Sequence, residues 1–593
     1  MIHKSKQVLV FSLLVLFLLG GRALAGGTVK KDALNSTVTS PSMVGMPFDW
    51  DIYEAVTVMD ATIVMDGNVT VHPGGSLTLE HVTLKMNVLE DGQYHIEVQG
   101  GGAMYIRNGS IITDGDLDDD NLPYDSTSNA RFNFTVDSGA VFEMWDSELH
   151  ECGFLSDTWS NRGLYIEADN PVIVNNLISH NYQGLFLYSI TQGILIDNTV
   201  DSNSRGLCLH TSKHNTLIGN SISYNYGTGL MVDASDCNII DFCVVTGNSE
   251  ASHECGSFYL WEADSNVITN CTINESKRRG LLMIGKCQYN TIKSCAMGGN
   301  VWEGIYLADS SWHNVIEDCV IQGNGVCGIG ICSHPLKFDI CVASARDNTV
   351  KNCLIKDNAT SGITIGLLAD SNSIEGNRII NNQCGILIDS ASTGNIIEDN
   401  LIANNATYGV HVFDVLENVV PPGAFSLVIN YNAIVGNAAY GILNIDNAVI
   451  VDARYNWWGD PNGPGDVGPG TGDDVSEWVD YEPWLEEPLG LGVKEQRLDT
   501  KVGIRLEQNF PNPFGAQTSI RYALPKESFV TLSIYNASGQ KVRTLVNETK
   551  QAGEHTVHWN SLDEAGNEVA TGVYFCKLQV GDYTETRKMI LLK

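Results

Sequence analysis

Tyr188, His210 and Asp233 follow one another at intervals of about 22 residues, and Arg205 lies just ahead of His210. If one turn of a repeat has that length, the three stand on consecutive turns, close enough to act on one bond. An imidazole flanked by a phenol and a carboxylate suits proton transfer at a sugar C5 or a glycosidic oxygen. The Arg205 guanidinium would neutralise a uronate carboxylate beside it. Ordinary solvent-facing strand residues would have the same pattern. A second group gathers where the repeat is irregular. Lys277, Arg278 and Arg279 follow an extended turn holding Glu250, His253 and Glu254, with Glu303 one turn after Arg279 and with Trp261 and Tyr306 nearby. Such a group fits an anionic glycan, and paired surface charges explain it nearly as well. Asp114, Asp116, Asp118 and Asp120 space carboxylates as a Ca²⁺ loop does, without the Gly and Glu that complete the helix-loop-helix version. A solvated acidic turn is the plain alternative.

The repeat that must hold these residues runs from about residue 160 to 460. Its clearest unit is Asn372 to Ile388, with three short apolar runs separated by turns. Gly163, Gly184, Gly206, Gly229, Gly256, Gly280, Gly304, Gly328, Gly362, Gly385, Gly409 and Gly441 mark it, mostly about 21 to 24 residues apart. Three apolar runs per unit describe one coil of a three-sided solenoid. Asn recurs in three registers. The first runs from Asn215 to Asn395, and the third from Asn181 to Asn437 with Ser276 interposed. The second opens with Asn176, Asn198 and Asn220, continues through Cys243, Cys271, Cys295, Cys319 and Cys353, and resumes at Asn377. Coils stacked about 4.8 Å apart place like residues over one another, so each amide can donate to one neighbour and accept from the other. Asn also tolerates the left-handed conformation that turns demand. The five cysteines in that register read as free buried thiols, because parallel side chains hold their Cβ atoms farther apart than a disulfide prefers.

On this register the residues two and four places after each Gly face outward. They are Tyr165, Phe186, Cys208, Met231, Phe258 and Tyr306, beside Glu167, Tyr188, His210 and Asp233. Residues 50 to 150 read as earlier, less regular coils, with strict alternation in Gly74 to Leu84. Trp457, Trp458 and Trp484 are bulky enough to cover the open end of the core.

Composition bounds the function. Apolar residues make up 43% of the chain, and 70 Asp and Glu against 35 Lys and Arg leave a net charge of −35. That charge argues against nucleic acid or an anionic membrane surface as a partner, and it favours cations. Lys4 and Lys6, an apolar run from Val8 to Leu19, and Ala23-Leu24-Ala25 read as a secretory signal. The run is too short to span a bilayer, which takes about 20 apolar residues. Walker-type loops, G-x-S-x-G, H-E-x-x-H and the D-P-H-D of mannuronan epimerases are missing, as is the paired-Asp pattern of polygalacturonases.

The Asn-rich coils, the Gly74-Gly75-Ser76-Leu77-Thr78-Leu79 start and the Asn456-Trp457-Trp458-Gly459 ending resemble the parallel β-helix repeat family, which includes NosD-like periplasmic proteins and carbohydrate-binding or sugar-hydrolase β-helices. The resemblance implies the fold over residues 50 to 486. Its relatives range from lyases to proteins without known activity. The Tyr/His/Arg set is similar to that of polyuronate lyases in residue type. A copper role of the NosD kind ranks below these, since Met and His are not clustered. A second resemblance covers residues 504 to 593. Leu506 to Phe514, Val530 to Val542, Ala552 to Trp559, Gly572 to Tyr574 and Arg587 to Lys593 look like the type A C-terminal sorting domain of the type IX secretion system. Gly515 departs from the Asn usual after that Phe. This resemblance implies passage across the outer membrane by the type IX machinery, followed by attachment to the cell surface or release. Alternating short strands there suggest a small antiparallel sandwich.

The sequence therefore predicts an all-β protein, a right-handed parallel β-helix followed by a small immunoglobulin-like β-sandwich. Its expected parts are a signal peptide (1–25), a lead segment (26–49), the β-helix (50–486), a linker (487–503) and the sorting domain (504–593). It is expected to be a secreted or surface-attached monomer with no membrane span once the signal is removed, and with Ca²⁺ as its one candidate cofactor. About 18 coils at about 4.8 Å would run roughly 85 Å, long enough for a polymer. Two functions fit: a protein that binds, and as a lyase or glycosidase degrades, an extracellular polysaccharide, or a non-catalytic surface protein or adhesin.

Overall fold

A computed structural model describes residues 37–39, 43–114, 130–249, 256–332 and 345–488, apart from 367, 390, 414–425 and 448, and residues 505–591 with short breaks. The chain divides into two compact units between Leu491 and Gly492.

In the regular coils of the first unit, each coil contributes one strand to each of three faces. Gln183–Tyr188, Ile194–Ile196 and Thr199–Asp201 form one coil, and Arg205–His210, Thr216–Ile218 and Ser221–Ser223 form the next. Every strand pairs in parallel with its counterpart one coil on, as Leu185 does with Leu207 and Leu207 with Leu230. Inward residues such as Leu207, Leu209, Leu217 and Ile222 lose essentially all contact with water. Full burial of a side chain of this size is worth about 2 kcal/mol, so a coil that aligns its inward residues with its neighbour's is held in register.

The three Asn registers form buried ladders with a direction. The Oδ1 of Asn198 accepts from the backbone N–H of Asn176 at 3.1 Å and from its Nδ2 at 2.9 Å, while the same Nδ2 also donates to Met144 O at 2.9 Å. The pattern repeats through Asn290, Asn314 and Asn348 in the first register and Asn358, Asn382 and Asn405 in the third. Ser276 joins the third ladder through its backbone N–H, which donates to Asn300 Oδ1 at 3.0 Å. Left-handed turns do not explain the ladder amides, contrary to expectation. That conformation falls on the residue before each rung, at His180, Asp197, His214 and even Phe242 and Tyr431. Asn is at the rung because its amide both accepts from one coil and donates to the other.

The five stacked cysteines are free and buried. Cys271 and Cys295 donate their thiols to backbone carbonyls, to Thr269 O at 3.2 Å and to Lys293 O at 3.3 Å. The third ladder ends on a carboxylate. Asp473 accepts from Gly436 N at 2.7 Å, and from the N and Nδ2 of Asn437, both at 2.8 Å. Beyond it, Trp458 is fully buried and Trp484 packs against the same core.

The second unit is antiparallel. Thr518–Leu524 pairs with Gly553–Trp559, and Ser528–Asn536 lies between Lys541–Lys550 and Gly572–Val580, which pairs in turn with Tyr583–Leu591. Its two sheets enclose Leu506, Ile520, Tyr522, Leu532, Trp559, Leu578 and Met589.

Candidate functional site

The first face, built of strands such as Gln183–Tyr188 and Arg205–His210, sets two outward rows. One passes through Glu97, Thr135, Tyr165, Phe186, Cys208 and Met231. The other follows two places later, with Tyr188, His210 and Asp233 paired on consecutive coils as the spacing requires. Phe258 departs from the expected row. It pairs with Leu230 and is fully buried, so Tyr259 takes the outward place beside Met231. The reason is local: Ser257, not Gly256, takes the ladder-glycine position, where its Oγ accepts from Asn248 Nδ2 at 3.0 Å.

His210 is held on three sides. Its Nδ1 donates to Asp233 Oδ2 at 2.6 Å, its ring stacks on Tyr188 at 5.4 Å and 17°, and Trp159 covers it at 4.6 Å. Trp159 opens a short 3-10 turn, Trp159–Asn161, in the connection that precedes the strand Gly163–Ile166. Its indole meets Phe186 edge-on at 5.0 Å yet stays 39% exposed. The indole divides two clefts. One, of about 560 Å³, is lined by Glu97, Asp137, Tyr165, Glu167, Tyr188 and His210, with Trp159 as a wall. The other, of about 180 Å³, is lined by Arg162, Arg205, Phe186, Met231 and Asp233, again with Trp159. Charge is thus divided unevenly across one ring: among the described residues the larger cleft has carboxyl groups and no guanidinium, while the smaller has two guanidinium groups beside the Asp233 carboxyl. On the acidic side Tyr165 donates its hydroxyl to Glu167 Oε1 at 2.6 Å. Burial, and then the charges of Glu97 and Glu167, raise the Asp137 carboxyl above its ordinary range.

Tyr188, His210 and Asp233 therefore lie together, while Arg205 lines the second cleft rather than the one His210 faces. The other cationic group is divided. Arg279 donates its Nε to Glu303 Oε2 at 2.7 Å, with side-chain exposures of only 8% and 12%. It is sandwiched over Trp302 at 4.8 Å and Tyr306 at 4.5 Å. Tyr306 is itself buried against Leu282, Ile284 and Ala308. Arg279, Glu303 and Tyr306 are thus the inside of a small outer core and not a displayed contact surface. Lys277 and Trp261 remain exposed, and Arg278 rests over Trp302 at 5.0 Å. Glu250, His253 and Glu254 lie outside the described residues, as do Asp116, Asp118 and Asp120; Asp114 is buried at the end of the strand Ile111–Asp114.

Trp159, Arg162, Glu97 and Asp137 escaped the sequence reading. Trp159 and Arg162 sit in an aperiodic connection, where no repeat signals a position. Glu97 and Asp137 belong to early coils without a ladder glycine, though the alternation Ile96-x-Val98 and Phe134-x-Val136 carries enough information to turn both outward.

Three family descriptions match parts of the chain. Residues 78–257 match the periplasmic copper-binding protein family (NosD). Residues 250–338 and 332–454 match the right handed beta helix region, and residues 513–582 the FlgD Ig-like domain. The long unit is a right-handed β-helix. No curated protein matches. Among solved structures, the Azotobacter vinelandii mannuronan C-5 epimerase AlgE4 A-module is 16% identical, over 65% of this chain and 87% of that one, with a TM-score of 0.26. The periplasmic alginate epimerase AlgG is 12% identical over 76% and 77%, with a TM-score of 0.27. The Dettilon tailspike protein is 10% identical over 85% and 86%, with a TM-score of 0.29. Among the described residues no three His, Cys, Asp or Glu side chains are grouped to hold a metal, and the stacked thiols are enclosed. Among the same residues no helix is long and apolar enough to cross a membrane.

Proposed function

We propose that this protein is exported and binds an extracellular polysaccharide on the first face of its β-helix, at the two clefts flanking Trp159, and breaks the polymer there. The observation that carries this reading is the half-exposed indole standing between two clefts, with an oriented imidazole against it. Indole and phenol rings give sugar rings a flat apolar surface, and the polar groups around them fix hydroxyls. His210, fixed through Nδ1 by Asp233, presents Nε2 to the larger cleft, where it can hold a sugar hydroxyl. Elimination at a uronate needs a cation beside the base, and Arg205 lines the opposite cleft, so hydrolysis fits this arrangement better. The signal-like N-terminus and residues 504–593 support export, the latter through type IX secretion.

The test is retention of the full mature chain on gels containing alginate, pectate, chondroitin or neutral glycans, with ultraviolet lyase and reducing-sugar assays run with Ca²⁺ and with chelator. One polymer should be retained. Trp159→Ala should weaken its binding about tenfold, the loss of roughly one aromatic contact. His210→Ala should weaken retention of that polymer about tenfold, the loss of one polar contact with its sugar. Silence in every assay would leave a surface structural protein. Removal of residues 504–593 should trap the protein in the periplasm, and normal surface delivery without them would end the export proposal.

A further inference from the structure

Asp137 and Glu167 occupy the same outward row on neighbouring coils, each one place beyond a paired residue, Val136 and Ile166. Glu167 donates its backbone N–H to Val136 O at 2.8 Å, and Asp137 donates its own to Val98 O at 2.9 Å. Both side chains therefore leave the sheet in the same direction and line the larger cleft beside Trp159. Their backbones are one coil apart, about 4.8 Å, so the two carboxyl groups can close to the roughly 5–5.5 Å of retaining glycosidases without the roughly 6.5–9.5 Å that inverting ones keep open for a water.

The two carboxyls differ in their surroundings. Glu167 has one oxygen fixed by the Tyr165 hydroxyl, which leaves Oε2 for another partner. Asp137 is pressed by partial burial and by Glu97 and Glu167, conditions that favour keeping its proton. Glu97 is engaged by Gln99, whose Nε2 donates to Oε2 at 3.1 Å. Among the described residues that line this cleft there is no Lys or Arg to offset the carboxyls. An anionic sugar would be repelled here, whereas a neutral one would not.

We propose that Asp137 and Glu167 are the acid and the nucleophile of a retaining glycoside hydrolase that acts on a neutral sugar residue seated against Trp159. This rests on the polysaccharide-binding reading and adds the bond and the stereochemistry. Asp137 gives its proton to the glycosidic oxygen as the C1–O bond breaks, and Glu167 Oε2 bonds to C1. Water then attacks C1 and gives a proton back to Asp137, and the C1–Glu167 bond breaks. One water is consumed and no redox partner is needed. Tyr165 is a positioning residue that holds the nucleophile.

The experiment uses the full mature chain and affinity gels of xylan, galactomannan, arabinogalactan, pectate and alginate. Any polymer retained is incubated with the protein, and the first-formed product anomer is read by proton NMR. Asp137→Asn should lower kcat by about 10²–10⁴-fold and remove the basic limb of the pH profile. Glu167→Ala should be inactive until sodium azide is added, when a glycosyl azide of the opposite anomer appears. Inversion by the wild-type chain would overturn the proposal, and that measurement depends on no variant folding. Wild-type rates in either variant, or retention of a polymer without hydrolysis, would also overturn it while the binding reading stands. Retention of none of the polymers would overturn both.

Discussion

Arg279 and Glu303 are a buried ion pair, and their energetics follow from that burial. Each charge was taken from water and given mainly to the other, with Trp302 and Tyr306 stacked against the guanidinium. Removing one partner leaves an uncompensated buried charge, at a cost of about 3–5 kcal/mol. Arg279→Met should therefore destabilise this region strongly, and Glu303→Leu alone should do likewise. The double variant should recover most of the loss, and equal destabilisation in all three would contradict a pairing role. The sequence revealed the partnership, because Glu303 stands one coil after Arg279. It hid the burial, which depends on Tyr306 and Leu282 building a second apolar layer outside the coil. His210 and Asp233 were legible for the converse reason: one coil apart on a regular row, they could only meet. Trp159 was not, since an aperiodic connection carries no spacing to read.

Among the elements, the ladders repeat too faithfully to miss, and every Asn rung expected between Asn176 and Asn437 lies in a buried register. The one slip, at Gly256 and Ser257, arose because a small residue follows a small residue and either could take the narrow ladder position. Where Asn follows Asn, an interior rung carries two donors of the coil before it. Asn314 Oδ1 accepts from Asn290 N at 3.0 Å and from Asn290 Nδ2 at 3.1 Å. Asn314→Ala should cost about 3 kcal/mol, since both donors lose their acceptor in the core. Hydrogen exchange is the measurement, because a solenoid can open locally. Protection should fall in the coils holding Asn290 and Asn314 and persist in distant ones. Uniform loss along the unit would mean that the coils open together.

At the scale of the molecule, a net charge of −35 works against compaction through self-repulsion. The Debye length falls from about 30 Å at 0.01 M salt to about 10 Å at 0.1 M, so screening should raise the melting temperature of the acidic chain across that range. Unchanged or lower melting would mean that bound cations or local pairs, and not the overall field, govern it. The last coil poses a different problem, because a stack of identical hydrogen-bonding layers has no internal reason to stop. An amide at each rung passes the pattern on, taking a bond from one side and offering N–H groups to the next. Asp473 takes those bonds from Gly436 and Asn437 and, as a carboxylate, has no N–H to offer. It acts as a chain terminator for that ladder: the pattern copied from rung to rung arrives at a group that can receive it and cannot send it on.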